Sequence, residues 1–190
     1  MITLYGIDGR SFRCAWALEE IGIDYERVPL RFLKDTKTPE FLQLNPNGKV
    51  PILKDGELVI FESLAINVHL AKNYGASLWP SDPIDQTRVI QWMAWAMGEL
   101  EGPHDAANRQ NTEIDKERFD RSLNALRVQL EGREFLLGSR FTIADLNTAA
   151  LLTRPQYSRT ASEDSAIGRW YDSCVGRDAL TRAFEIDLPD

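Results

Sequence analysis

The first 75 residues alternate between short apolar runs and stretches with helical spacing. Four apolar runs predict strands, at residues 2–5, 25–30, 50–53 and 58–61. Three stretches predict helices, at residues 10–21, 38–44 and 63–74. Pro29 argues for an edge position of the second strand, Asp55-Gly56 for a hairpin turn, and Ser63 for the cap of the last helix. This order predicts a parallel βαβ pair extended by an antiparallel hairpin, a small mixed sheet covered by helices.

The pattern changes after residue 75. Residues 76–84 contain Pro80 and Pro83 and show no periodicity, which indicates a linker. Beyond them, the apolar spacing favours helices at residues 85–100, 115–130, 142–152 and 166–175, with no convincing strand. The sequence therefore predicts an α/β domain of thioredoxin-like size at 1–75, a linker at 76–84 and an all-helical domain at 85–190.

Composition and charge narrow the class of protein. The 190 residues are 43% hydrophobic and 27% charged, which is ordinary for a globular protein. The net charge of −7, without any basic run, argues against a surface that follows nucleic-acid phosphates. The N-terminus lacks the basic start and apolar run of a signal peptide, and no stretch approaches the ~20 apolar residues of a membrane span. We therefore expect a cytoplasmic protein that binds neither nucleic acid nor membrane.

The cysteines limit the possible redox and metal chemistry. Cys14 and Cys174 are too few for a disulfide framework or a structural zinc site, so no metal is expected. Cys14 falls a full turn inside the first predicted helix, where a buried structural thiol is expected rather than a reactive one. Thioredoxin-type dithiol chemistry is excluded because the chain has no Cys-x-x-Cys.

A proline at the start of the third predicted strand is a candidate cis residue. Pro51 follows a Gly-containing turn, Asn45-Pro46-Asn47-Gly48-Lys49, and Val50. A cis bond would turn the Val50 N–H and C=O outward, where an extended peptide could pair with them by strand addition. The alternative is an ordinary turn proline.

Glu62 and Ser63 mark a second candidate binding point, at the junction between the fourth strand and the following helix. Ser63 as a simple helix cap is the structural alternative. The N–H groups of a helix start together with a hydroxyl also suit a carboxylate, and a neighbouring glutamate suits an ammonium group. A ligand with an α-amino acid end would satisfy both.

These motifs resemble those of the glutathione S-transferase family. The resemblance rests on Leu4-Tyr5-Gly6 and on residues 17–25, 41–53, 61–66 and 141–145. It implies an α/β N-terminal thioredoxin-like domain plus an all-α C-terminal helical bundle. It also implies an enzyme that conjugates the thiolate of glutathione, its co-substrate, to a small apolar electrophile, and that forms a homodimer.

The resemblance also implies roles for single residues. Val50 would pair its backbone with the cysteinyl part of glutathione, before a cis Pro51. Glu62 and Ser63 would hold the γ-glutamyl end. The glycyl carboxylate would meet Lys49, with Lys34 or Lys37 as alternatives. In the helical half, Thr142 and Asp145 resemble the family's buried capping box, whose role would be folding.

The thiol-activating group is the point at which the chain departs from the family pattern. The usual serine position falls on Asp8, and Ser11 is the hydroxyl of this stretch, displaced along the chain. Lowering an ordinary thiol pKa of about 8.5 by two units requires about 2.7 kcal/mol, which one hydrogen bond to a charged group can supply. We expect Ser11 to be the catalytic hydroxyl and Arg10 its electrostatic partner.

The electrophile would contact the helix predicted at 85–100. Its large, soft side chains Trp92, Met93 and Met97 suit an apolar pocket, although bundle core is the alternative for most of them. His104 in the following loop could polarise a substrate, although a histidine in solvent is the simpler interpretation.

Two other functions agree with the same residues. A glutathione-dependent peroxidase or disulfide reductase needs a thiolate-binding site but no protein cysteine. A non-catalytic binding module of the same fold would explain Asp8 and the displaced hydroxyl. Glutathione binding, and the effect of Ser11→Ala on turnover, discriminate between these alternatives.

Overall fold

The computed structural model describes residues 1–7, 9–30, 35–103, 115–153 and 165–185. The strands are β1 (Ile2–Tyr5), β2 (Tyr25–Val28), β3 (Ile52–Asp55) and β4 (Leu58–Phe61). The helices are α1 (Ser11–Ile21), α2 (Pro39–Leu44), α3 (Ser63–Asn73), α4 (Pro83–Trp95), α5 (Lys116–Leu130), α6 (Ile143–Leu152), α7 (Ser165–Val175) and α8 (Asp178–Phe184). The chain forms two compact units, one of Met1–Leu78 with Arg177–Asp190 and one of Trp79–Gly176.

The first unit contains a four-stranded mixed sheet in the order β2-β1-β3-β4. β1 pairs in parallel with β2, and Leu4 lies opposite Arg27. β1 and β3 are antiparallel, as are β3 and β4, which form the hairpin around Gly56. The predicted mixed sheet and the edge position of β2 are both confirmed. Leu4, Ile52 and Leu53 form the sheet's contribution to the core, since each is fully buried.

Helix α1 has more buried residues than the single apolar face that its sequence spacing predicts. Seven of its eleven residues are buried, and Ser11 and Arg13 are polar members of that set. The reason is that α1 packs against both α3 and α8, so two of its sides are covered. Sequence spacing did not predict α8, a helix of seven residues. The predicted boundary after residue 75 lies close to Leu78, whereas the chain from Arg177 onward belongs to the first unit instead of the helical one.

The second unit is helical, as the spacing predicts. α4 begins inside the predicted linker, because the Asp82 carboxylate accepts a hydrogen bond from the Asp85 N–H and Pro83 occupies the first turn. After Trp95 the chain continues as a π-helical segment, Ala96–Glu101. The predicted capping box is confirmed, since Thr142 caps α6 and the Asp145 side chain reaches back to the Thr142 N–H.

The described residues contain neither a membrane-spanning helix nor a cluster of metal-ligating side chains. Within the described residues, no helix is both long and apolar enough to cross a bilayer. The same residues contain no cluster of three or more histidine, cysteine or acidic side chains that could hold a metal ion.

Candidate functional site

Two segments of the first unit meet at Gly6, which directly follows β1: the start of α1 and the loop before β3. Gly6 has a φ of 108°, and a Cβ placed on it would lie 2.4 Å from the Ser11 Oγ and 2.8 Å from the Val50 Cβ. Only glycine fits there, because the backbone conformation and the close neighbours both exclude a side chain. This close approach brings the start of α1 against the loop that precedes β3.

The loop before β3 is held in shape by Asn45, a buried residue at the C-terminal end of α2. Its Nδ2 donates to the Lys49 carbonyl at 2.7 Å, and its Oδ1 accepts from the Asn47 N–H at 3.0 Å. Its carbonyl accepts from the Gly48 N–H at 2.9 Å. The sequence analysis did not predict this role, although an asparagine ahead of a Gly-containing turn is a usable signal.

The Val50–Pro51 peptide bond is cis, which confirms that prediction. Val50 is half-buried and lies just outside the β3 ladder. Among the described residues, the turn and loop hydrogen bonds do not include the Val50 N–H or C=O. The Val50 backbone is therefore available to an extended ligand.

The junction between β4 and α3 carries an unusual backbone conformation. Glu62 has a φ of 74°, the only positive value of a non-glycine among the described residues, and its side chain is exposed. Such conformations cluster at binding sites, where the surrounding structure holds them. Ser63 was predicted as the N-cap of α3, and this was wrong by one residue. Glu62 takes the cap position without a side-chain bond, and Ser63 begins the helix because the chain turns at Glu62.

Ser63 also lies close to α1. The Cys14 Sγ lies 3.6 Å from the Ser63 carbonyl, and the Asn67 Nδ2 donates to the Arg13 carbonyl at 3.2 Å. The start of α3 is thus tied to the first turns of α1. The fold thus brings Gly6, Ser11 and Val50 together and ties Ser63, which follows Glu62, to α1 through Cys14, so that three separate stretches of sequence meet.

The start of α1 contains the two predicted catalytic residues. Arg10 occupies the cap position and is half-buried, and the first turn has no acidic side chain. Ser11 has no exposed surface, and within the described residues its Oγ has no hydrogen-bond partner. The Ser11 Oγ lies close to Gly6, which the Val50 side chain also approaches. The thiol-activating role of Ser11 and Arg10 stays a prediction, and a ligand thiolate would reach the hydroxyl only after a shift at Gly6 or Val50.

Cys14 has the environment of a structural thiol. It is fully buried, and desolvation raises its pKa from 9.0 to about 12, against a smaller opposing effect of Arg13 and Arg27. A thiol at that pKa is protonated at neutral pH and is a poor nucleophile. The expectation of a buried structural cysteine is therefore confirmed.

Positive charge lies beside the Val50 loop. The Lys37 Nζ donates to the Gly48 carbonyl at 3.3 Å, and the Lys49 side chain is exposed. Both lysines remain candidates for a ligand carboxylate. Lys34, the third candidate, lies outside the described residues.

The predicted electrophile-binding residues belong to the helical unit. Met93 is 2% exposed and forms part of that unit's core, as the alternative interpretation predicts. Trp92 and Met97 are half-buried, and the Trp92 ring packs edge-on against Trp95 at 4.9 Å. His104 lies outside the described residues. The pocket stays a prediction.

Comparison with known proteins identifies both halves of the chain. Residues 1–72 match the family described as "Glutathione S-transferase, N-terminal domain", and residues 91–178 match "Glutathione S-transferase, C-terminal domain". A maize protein, Glutathione S-transferase 3, is 31% identical over 99% of this chain and 96% of its own length.

Solved structures agree in fold. A glutathione transferase family member from Pseudomonas fluorescens Pf-5, solved with two glutathione bound, has a TM-score of 0.80 at 30% identity, covering 98% of this chain and 93% of that one. The maize glutathione S-transferase I, solved with an atrazine glutathione conjugate, has a TM-score of 0.79 at 26% identity, covering 96% of each chain. This chain, with its thioredoxin-like sheet unit and its helical unit, belongs to the glutathione S-transferase family.

Proposed function

We propose that this protein conjugates the thiolate of glutathione to a small apolar electrophile. The observation that carries the proposal is the convergence at Gly6 of the α1 start with the Val50–Pro51 loop, beside Glu62 and Ser63. Relatives solved with glutathione, and with an atrazine conjugate of it, support the same chemistry. Glutathione is then a co-substrate, and no metal takes part.

Each part of glutathione has a proposed partner. The Val50 N–H and C=O pair with the cysteinyl backbone, since no turn, loop or strand hydrogen bond of the described part of the chain uses them. The γ-glutamyl ammonium meets the exposed Glu62 carboxylate, and its carboxylate meets the N–H groups at the start of α3 with the Ser63 hydroxyl. The glycyl carboxylate meets Lys49 or Lys37. Four contacts in a row fix the thiol against the start of α1.

The thiolate is stabilised by positive potential at the start of α1. The helix macrodipole contributes roughly 0.3–1 kcal/mol there, and no acid of the first helical turn opposes it. The Arg10 guanidinium adds to the same field. The Ser11 hydroxyl is buried and forms no hydrogen bond with the residues that the structure describes, and it is the group that would turn to the sulfur when glutathione binds. Each residue is tested by its alanine variant.

Glutathione binding is the first test. Isothermal calorimetry on wild type and Glu62→Ala should show at least tenfold weaker binding in the variant, about 1.4 kcal/mol. Glu57→Ala is the matched control, because Glu57 is an exposed glutamate in the turn at the other end of β4. No wild-type binding at millimolar glutathione would contradict the proposal. Equal weakening by both variants would contradict the role of Glu62.

A second function is favoured by one observation, the complete burial of Ser11. If the Ser11 hydroxyl does not contact the sulfur of glutathione, the protein would bind glutathione without transferring it. Aryl-halide turnover by wild type but not by Ser11→Ala supports the transferase. Binding without turnover of aryl halides, hydroperoxides or mixed disulfides supports the binding module, and turnover of only the last two supports a peroxidase or reductase.

We also propose that the protein is a homodimer through the exposed edge of its sheet. β4 is an edge strand, and its apolar side chains Leu58, Val59 and Phe61 are 46%, 36% and 37% exposed. Such an edge is an aggregation hazard unless another surface covers it. Light scattering should give twice the chain mass for wild type and for Val128→Lys, an exposed control on α5, but a monomer for Val59→Lys. A monomeric wild type would contradict the proposal.

A further inference from the structure

Arg27, on edge strand β2, joins two distant parts of the first unit. Its Nη2 donates to the Ile7 carbonyl at 3.1 Å, between β1 and α1. Its Nη1 donates to the Ala183 carbonyl at 3.0 Å, in the last turn of α8. One planar guanidinium therefore links the segment that leads into α1 to the C-terminal helix, across 156 residues of sequence.

The placement of this guanidinium is costly, which indicates a specific use. Arg27 is half-buried, and its Nε is buried without a hydrogen-bond partner among the described residues. Desolvation lowers the pKa of Arg27, against smaller opposing effects of Tyr25 and Glu19. Both acceptors are neutral carbonyls, and no carboxylate of the described residues forms an ion pair with Arg27. The hydrogen bonds of this half-buried guanidinium therefore go to two backbone carbonyls, and they hold those carbonyls in place.

Helix α8 is itself firmly held, so it can serve as a support. Its Phe184 ring stacks on Phe12 in the first turn of α1, with centroids 4.2 Å apart. Arg182 forms an ion pair with Glu19 at 3.0 Å, and its Nη2 donates to the Glu19 carbonyl. These contacts hold α8 along α1. The two hydrogen bonds of Arg27 then connect α8 to Ile7, in the segment before α1.

We propose that Arg27 is a positioning residue for glutathione activation, which holds the Ile7 carbonyl against α8 and so fixes the turn from which α1 presents Arg10 and Ser11. This inference rests on the proposed transferase function. Arg27 does not touch glutathione; it acts through the geometry of the backbone N–H groups and side chains at the start of α1. The C-terminal helix is thereby part of the thiol-activating machinery, although its sequence lies outside the N-terminal domain.

The experiment measures the pKa of bound glutathione. The ultraviolet absorbance of the thiolate is titrated in complexes with wild type, Arg27→Met, Arg27→Lys and Arg182→Met, alongside glutathione affinity and thermal unfolding. Arg182→Met is the matched control, because it removes an arginine contact between α8 and α1 that does not involve Ile7. Arg27→Lys keeps the charge but loses the planar pair of donors that reaches two carbonyls.

We expect Arg27→Met to raise the bound thiol pKa by about one unit, which is a tenfold loss of thiolate at low pH. Glutathione affinity should change less than threefold, because Glu62 and Ser63 are untouched. Arg27→Lys should recover less than half of the shift. Arg182→Met should shift the thiol pKa much less than Arg27→Met does, because the Phe12–Phe184 stack still holds α8 and Arg27 still holds the Ile7 carbonyl.

Two results would overturn the inference. One is an unchanged thiol pKa in Arg27→Met, folded and saturated with glutathione. The other is a shift in Arg182→Met as large as in Arg27→Met. If Arg27→Met does not fold, a wild-type thiol pKa in folded Arg27→Lys overturns the inference in the same way. Failure of wild type to bind glutathione would instead refute the proposed function, so the two failures are distinguishable.

Discussion

Asp145 should dominate the stability of the helical unit, although it lies outside the catalytic site. It is fully buried, and its carboxylate accepts four hydrogen bonds. Oδ1 accepts from the Leu136 N–H at 2.8 Å and the Trp170 indole at 2.9 Å. Oδ2 accepts from the Thr142 N–H at 2.9 Å and the Thr142 hydroxyl at 3.0 Å. One side chain thus joins the loop before α6, the start of α6 and helix α7.

The magnitude follows from the donors that Asp145→Ala would strand. Three N–H groups, of Leu136, Thr142 and Trp170, would be buried without a partner at about 1–3 kcal/mol each. Burial raises the pKa of Asp145 and the four hydrogen bonds lower it, with a net upward shift. Removing the carboxyl group therefore relieves a desolvation cost, and we expect a net loss of about 3–5 kcal/mol. That is a large share of a typical unfolding free energy of about 5–15 kcal/mol.

The assay is urea unfolding followed by helical circular dichroism and tryptophan fluorescence. Thr142→Ala loses the cap and one of the four hydrogen bonds to Asp145, and should cost about 0.5–2 kcal/mol. Asp172→Ala, which removes an exposed acid from α7, should stay within about 0.5 kcal/mol of wild type. If Asp145→Ala costs no more than Thr142→Ala, the bonds to Leu136 and Trp170 contribute nothing, and the reasoning is refuted.

Three further predictions concern the first unit. Because burial raises the pKa of Cys14 to about 12, iodoacetamide should label it only after unfolding, and mass spectrometry that finds it labelled in the native protein would contradict this. The Tyr74 hydroxyl, which donates to Asp55 at 2.6 Å, is the main cause of the lowered Asp55 pKa. Tyr74→Phe should raise that pKa in a carboxyl NMR titration and lower stability at neutral pH; this difference should fade as the pH falls through the folded pKa of Asp55, and an unchanged titration would refute the assignment. The two-pronged Arg177–Glu20 pair, at 2.6 and 2.7 Å, should show a coupling of about 1 kcal/mol in a double-mutant cycle, and a value near zero would show that the pair adds no stability.

Local chemistry was enough to predict most elements of the fold. The hairpin at Gly56, the start of α2 at Pro39 and the capping box at Thr142 each depend on two to four neighbouring residues. Their positions were therefore predicted within a residue or two. Helix α8 was missed because seven residues carry little periodicity, and its stability comes from packing on α1.

The sequence likewise predicted some features of the candidate site and not others. The motifs around Val50 and Glu62 were recognisable in the sequence because each is a short, unusual run before or after a strand. Nothing local indicated that Ser11 would be buried against Gly6, since that depends on how α1 meets the Val50 loop. The role of Asn45 is intermediate, because its partners are within four residues but its burial is set by the fold.

The sequence by itself determined the elements, the mixed sheet, the helical second half and the family, because hydrophobic period, turn residues and caps act over a few positions. Only the tertiary structure decided the surroundings of Ser11, the contact of Arg27 with Ile7 and Ala183, and the place of α8. These depend on side chains far apart in the chain. Their energies come from excluding water between surfaces and from satisfying buried donors, and neither is defined until the chain has folded.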